Sequence, residues 1–316
     1  MGQPAPSRKS TDAWPIADAG LAPRVVRCLR NAGIADLGAL RRLNPDGRRA
    51  LPRFGRSAER NVAAFLERLD RFETGRAATA SLQSWLDEFL SPAERFVVTQ
   101  RFGLDDPLYR PQMKPRKLRE IGADADGGLT RERVRQLLRR ALGKLRCRLA
   151  RATASPLFDA ARRRIETGGN VVTSAELASW RGAAWLGGCQ PWGALLLLAE
   201  TGDAVTRRHD YFSSLPAAEL EKLESRLLGA LAKAAEPLSP QQIARDVPSR
   251  IVAVMLDRHP GVDATREGRF FLFPGGATPL LAGLASLPPA EAVQRYDGQV
   301  APHSRRTWSE LRRVLG

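Results

Sequence analysis

The segment from Thr130 to Ala150 restricts the fold more than any other stretch of the chain. Thr130 is suited to accept hydrogen bonds from the free N–H groups of a helix start. RERVRQLLRRALGKLRCRLA follows, with Val134, Leu137, Leu138, Ala141, Leu142 and Leu145 on a single stripe. Apolar residues three and four apart predict a helix with one buried face, because a strand would scatter them over both of its faces. The opposite face carries Arg131, Glu132, Arg135, Gln136 and Arg139. Such a helix needs partners, and the preceding sequence offers short helical stretches rather than alternating strands.

At 316 residues the chain exceeds a typical single core, so several small ones are expected. The aperiodic residues 1–12 read as a disordered arm and 13–72 as four or five short helices broken at Gly20, Gly33, 44–47 and Gly55. Residues 73–81 read as a linker and 82–152 as a second helical block. In 153–215 a helix near 157–166, another at 174–180, an apolar helix near 192–199 and a strand-like 204–212 suggest a winged helix. The order repeats in 216–276, where VDAT-REGR-FFLF places Gly268 at a turn between two strands. Residues 277–316 read as a helical tail. The expected fold is therefore mainly α and multi-domain: a helix-hairpin-helix-like bundle, a helix-turn-helix and tandem winged helices.

Charge points to the partner. The chain holds 50 Lys plus Arg against 34 Asp plus Glu, a net +16. Residues 1–150 carry +13 of this and the remainder +3. The cations are mostly Arg, whose planar fork suits phosphate oxygens and guanine edges. Double-stranded DNA is the expected partner. Cys28, Cys147 and Cys189 are too scattered for a zinc motif and suit a reducing cytoplasm. The longest apolar run, 194–199, is too short to span a bilayer. The three histidines, His209, His259 and His303, stand isolated in sequence, and no nucleophile constellation or phosphate loop is evident. Neither enzymatic activity, a metal nor a cofactor is expected.

Several strings resemble known families. LSPAERFVVTQRFGLDD at 90–106, LREIG at 118–122 and LTRERVRQLLRRALGKLR at 129–146 resemble region four of sigma-70 family factors. There, the second helix of a helix-turn-helix reads the promoter minus-35 element in the major groove. The resemblance implies base contacts by Arg131, Glu132 and Gln136, with Thr130, Arg133, Arg135 and Arg139 on the backbone. It also implies RNA polymerase as a second partner. Two departures stand out: a long polar turn, ADADGG at 123–128, and a basic insertion, PLYRPQMKPRK at 107–117. Nothing else resembles the remainder of a sigma factor.

RVVRCLRNAGI at 24–34, DLGAL at 36–40 and LPRFGRSAERNV at 51–62 resemble the carboxy-terminal domain of the RNA polymerase alpha subunit, which contains a helix-hairpin-helix-like element. That resemblance implies minor-groove or backbone contacts by Arg24, Arg27, Arg30, Gly55 and Arg56, a Gly turn letting N–H groups approach phosphate. On the second winged helix, Arg250, Arg258, Arg266 and Arg269 are candidates for phosphate contacts. The sequence thus predicts a cytoplasmic, nucleoid-associated bacterial transcription regulator. The alternative is a non-catalytic DNA-binding adaptor of a DNA-modifying or defence complex.

Overall fold

The computed structural model describes residues 11–76, 79–106, 115–125, 127–273 and 275–315, and among them the chain is mainly helical with five short strands. Contacts group the chain into two compact units, Met1–Ala161 with Leu177–Ala204, and Arg162–Glu176 with Val205–Gly316. The arm expected at 1–12 lies outside the described residues up to residue 10, as do 77–78 of the expected linker and 107–114 of the basic insertion.

The first unit opens with Thr11 and Asp12, which are ordered. Thr11 is fully buried, and Arg41 bridges Asp12 and Glu73 at 2.5 Å each. The helices α1 (Pro23–Asn31), α2 (Leu37–Arg42), α3 (Pro45–Arg49) and α4 (Arg56–Glu73) follow. Their starts are chemically marked: Asp36 and Asn44 accept hydrogen bonds from Ala39 N and Gly47 N, satisfying donors that a helix start leaves orphaned. The α3–α4 hairpin is fastened from inside. Buried Arg48 donates to both carboxylate oxygens of Glu59, at 3.0 and 2.7 Å, and to Leu43 O at 2.7 Å. A bidentate pair whose third nitrogen also finds an acceptor tolerates burial; either partner alone would be an uncompensated charge.

In the second block, α5 (Leu82–Phe89) and α6 (Pro92–Phe102) precede α7 (Leu118–Ala123), α8 (Arg131–Leu145) and α9 (Arg148–Thr153). Ser91 and Glu94 form a capping box at the start of α6. Glu94, 1% exposed, also takes the Lys144 ammonium at 2.6 Å, tying α6 to the end of α8. Burial raises the Glu94 pKa, but hydrogen bonds from Lys144 and Ser91 outweigh it and hold the carboxyl below its ordinary range.

The two helical blocks expected at 13–72 and 82–152 meet at α9. Arg148 stacks 4.6 Å over Trp14, Trp85 Nε1 donates to Ala150 O at 3.0 Å, and a Cβ on Gly20 would lie 2.6 Å from Cys147 Cβ. Gly20, at φ 68°, is thus needed for both backbone sign and space. The same unit includes α12 (Pro191–Thr201), an apolar helix buried along most of its length, with Trp192 at 4% exposure. It presses so closely on α6 that a Cβ at Gly193 would sit 2.3 Å from Phe102 O.

The second unit contains a three-stranded antiparallel sheet of order β1-β3-β2, from β1 (Val171–Thr173), β2 (Thr206–Arg208) and β3 (Tyr211–Ser213). The strand-like stretch 204–212 resolves into a hairpin turning at His209 and Asp210, with Arg208 paired to Tyr211. Along the chain α10 (Ser155–Thr167), β1, α11 (Ser174–Leu177), α12, β2 and β3 run helix, strand, helix, helix, strand, strand. The order recurs with α13 (Ala217–Ala232), Leu238, α14 (Pro240–Ile243), α15 (Ser249–Asp257), β4 (Asp263–Ala264) and β5 (Phe270–Phe271). Here Leu238 bridges Phe270, giving the same spatial order of first, third and second strand, and Gly268 turns the hairpin at φ 75°.

The core joins Leu227 and Leu231 of α13, Val252 and Met255 of α15, and Val171, Tyr211 and Phe270 of the strands. The tail 277–316 closes the edge beside β4. Val300 bridges Thr265, Ala301 N donates to Ala264 O at 2.8 Å, and Arg306 pairs with Asp263. Tail helices α16 (Thr278–Leu281), α17 (Pro289–Gln299) and α18 (Trp308–Leu315) build a satellite core around Phe271, Tyr296 and Leu311.

Candidate nucleic-acid interface

Val97 of α6, Ile121 of α7, and Val134 and Leu137 of α8 make a buried cluster that fixes these three helices as a helix-turn-helix framework. The turn between α7 and α8 closes because residue 122 is glycine. Leu129 N donates to Gly122 O at 2.8 Å, and a Cβ on Gly122 would lie 2.2 Å from Leu129 O. Gly127 and Gly128 then carry the chain through φ 79° and 68°. Thr130 caps α8, its hydroxyl accepting from Arg133 N at 3.2 Å, which satisfies one of the free N–H groups of the helix start.

This framework leaves Arg131, Glu132, Arg133, Arg135, Gln136 and Arg139 exposed while Val134, Leu137 and Ala141 are buried. The exposed side chains differ in readiness. Arg135 clasps Glu132 bidentately at 2.7 and 2.8 Å, and Gln136 Nε2 donates to the same carboxylate at 3.1 Å. These hydrogen bonds hold the Glu132 carboxyl down at about 2. Arg139 makes no hydrogen bond but lies in the field of the Glu132 charge, while Arg131 and Arg133 have no hydrogen-bonded or ionic partner among the described residues, which leaves their donors for an anion. Arg119 on α7 and Arg140 on α8 share that condition; periodicity placed both on the helices without distinguishing them from solvated surface.

In the first block, Arg24, Arg27, Arg30 and Arg56 are exposed, and no partner engages them among the described residues. Gly55 caps α4 with φ −83° and ψ 176°, a conformation open to any residue, and a Cβ there meets nothing within 4 Å. The glycine is thus not required by the turn's own backbone. The unusual conformation belongs to Arg53, at φ 63°, whose carbonyl lies 3.9 Å from Cys28 Sγ and brings the turn beside α1.

The second-unit candidates are differently placed. Arg250 donates to Gly168 O at 2.7 Å and pairs with Glu176, fastening α15 to the start of the unit. Arg258 lies between Asp257 and Asp210 at 3.3 and 3.8 Å. Arg266 donates to Asp297 O at 3.2 Å in the tail. Arg269 alone of the four makes no side-chain hydrogen bond or close ion pair among the described residues, though it lies near the Glu267 charge. Three of the four thus serve the protein's own architecture.

Two of the histidines are not isolated in space. His209 Nε2 lies 2.8 Å and His259 Nε2 3.7 Å from Glu224 Oε1, with the two rings edge to face at 5.1 Å. Arg208 Nε donates to Glu224 Oε2 at 2.9 Å. Burial would raise the Glu224 pKa, but Arg208 and His209 bring it below the ordinary range, whereas burial lowers that of His259. The cysteines remain free thiols; burial pushes Cys189 up to about 11 and Cys147 upward, away from reactive thiolates. Among the described residues no helix is long and apolar enough to cross a membrane.

No curated protein and no solved structure matched the chain. Residues 88–146, which include α6, α7 and α8, match the sequence model of the family Sigma-70, region 4, a DNA-binding domain.

Proposed function

We propose that this chain is a sequence-specific bacterial transcription regulator that inserts α8 into the major groove of promoter DNA. The observation that carries the reading is the N-capped α8, locked by a buried core on one side and presenting unpaired arginines on the other. Arg131 and Gln136 read base edges, Glu132 positions Arg135 and Gln136, and Arg133, Arg135 and Arg139 hold phosphates. Arg24, Arg27, Arg30 and Arg56 add a second, less selective grip from the alpha-subunit-like helix-hairpin-helix formed by 13–72. RNA polymerase is the second partner, met through the sigma-like region.

The two repeats with the strand order first-third-second are winged helices acting as a protein scaffold. The arginines held by Glu176, Asp210 and Asp297 O favour that role over DNA contact. If the scaffold docks an effector other than polymerase, the chain is an adaptor rather than a regulator.

Genome-wide occupancy of the tagged protein beside that of RNA polymerase tests the proposal. Sharp promoter peaks sharing a motif support it; diffuse or polymerase-independent occupancy overturns it in favour of the adaptor.

A further inference from the structure

We propose that His209 Nε2, Glu224 Oε1 and His259 Nε2 form a three-ligand site for a divalent cation of the zinc class, clamping the β2–β3 hairpin to α13 and to the end of α15. The ligand atoms already lie within 4.8 Å of one another. Two imidazoles and one carboxylate are the donor set that zinc, cobalt and nickel share, and three protein ligands leave a position for water.

Three observations show that the cluster is organised. First, Arg208 holds Glu224 Oε2 and so turns Oε1 toward both imidazoles, as an outer hydrogen bond orients a ligating carboxylate. Second, His209 occupies a two-residue hairpin turn at φ 44°, where glycine or asparagine would be relaxed, and the strained backbone aims its imidazole at Glu224. Third, the fully buried Tyr211 hydroxyl has no hydrogen-bond partner among the described residues, and its ionisation is disfavoured by burial and then by the Glu224 charge. A phenol placed there is available to a metal-bound water.

Binding requires both imidazoles to free Nε2, since His209 Nε2–H donates to the Glu224 carboxylate at 2.8 Å. Gly261 N–H donates to His259 Nδ1 at 3.0 Å, which puts the imidazole proton on Nε2. On coordination each imidazole proton passes through solvent from Nε2 to Nδ1, the His259 ring turns from Gly261, and the exposed Gly261 N–H takes water; no net proton is released from a neutral imidazole. The Arg208 charge opposes the cation, so affinity in the micromolar range is expected rather than the tighter binding of an all-anionic site.

The test uses the full-length protein after chelator treatment, titrated with Co²⁺ and then Zn²⁺. One Co²⁺ per chain with visible d–d absorption, displaced by Zn²⁺ and accompanied by a higher melting temperature, is expected. Uptake should vanish in His259→Ala and in His209→Gly, which removes a ligand while relaxing the turn, and should persist in His303→Ala. Far-UV circular dichroism of the metal-free variants separates lost ligation from lost folding. Absence of uptake at millimolar Co²⁺, or equal uptake by the folded His209→Gly and His259→Ala proteins, overturns the proposal and leaves a proton-linked hydrogen-bond network.

Discussion

Replacing Gly122 with alanine tests whether the turn between α7 and α8 is as tight as its geometry implies. The added Cβ would lie 2.2 Å from Leu129 O, so about 1 Å of separation must be found before a normal carbon–oxygen contact is restored. Moving Leu129 sacrifices its hydrogen bond to Gly122 O, at about 0.5–1.5 kcal/mol. Displacing the neighbouring packing, including Val134 at the base of α8, adds about 1–3 kcal/mol. A loss of about 2–4 kcal/mol is expected, a shift of roughly 30- to 1,000-fold in the unfolding equilibrium.

Gly143 in α8 is the matched control: a Cβ there meets nothing within 4 Å, so Gly143→Ala should stabilise the helix by about 0.5–1 kcal/mol. Urea unfolding followed by far-UV circular dichroism measures both, and fluorescence anisotropy with a labelled promoter fragment measures binding at fixed salt. Gly122→Ala should unfold at lower urea and bind more weakly, although residue 122 presents no side chain to DNA. A Gly122→Ala protein within about 0.5 kcal/mol of the parent would refute the argument.

Glu59→Gln leaves buried Arg48 uncompensated and should cost about 3–5 kcal/mol by urea unfolding, with much of it recovered in Arg48→Met/Glu59→Leu. Arg131→Ala should reduce discrimination between matched and mismatched sites by about 1–3 kcal/mol in competition binding, whereas Arg24→Ala should weaken all sequences alike. Arg250→Ala should lower the melting temperature while leaving DNA affinity unchanged, since its partners are Gly168 O and Glu176. Because the Glu132 pKa is depressed from 4.5 to about 2, its contribution to α8 is fully present above pH 4.5 and fades as pH falls through 2. A carboxyl-carbon NMR titration of Glu132 with a midpoint near 4.5 would contradict the Arg135 clasp.

The sequence revealed what depends on neighbours along the chain. The Thr130 cap and the α8 stripe lie within a few turns of their partners, and the local pattern exposes them. The repeated run of helices ending in strand-like sequence was readable for the same reason, whereas the strand at 171–173 and the Leu238 bridge were not. Features made by chain crossing left no local trace: Arg48 with Glu59 across a hairpin, Arg250 with Glu176, and the meeting of His209 and His259 over Glu224. Gly55, singled out for a close approach to phosphate, has a backbone that any residue can adopt, so the unusual turn conformation lies elsewhere. It belongs to Arg53, and an arginine gives no warning of it.

The itinerary of the chain has a consequence for genetics. It leaves the first unit after residue 161, returns at 177 and departs again at 204. A stop codon after 161 deprives α6 and α8 of α12, and one after 204 strands β1 without β3, its pairing partner. No single truncation in that interval yields one whole unit and nothing else. Nonsense alleles there should behave as loss of the entire protein, and separated halves should recover function only when co-expressed fragments overlap across 162–204.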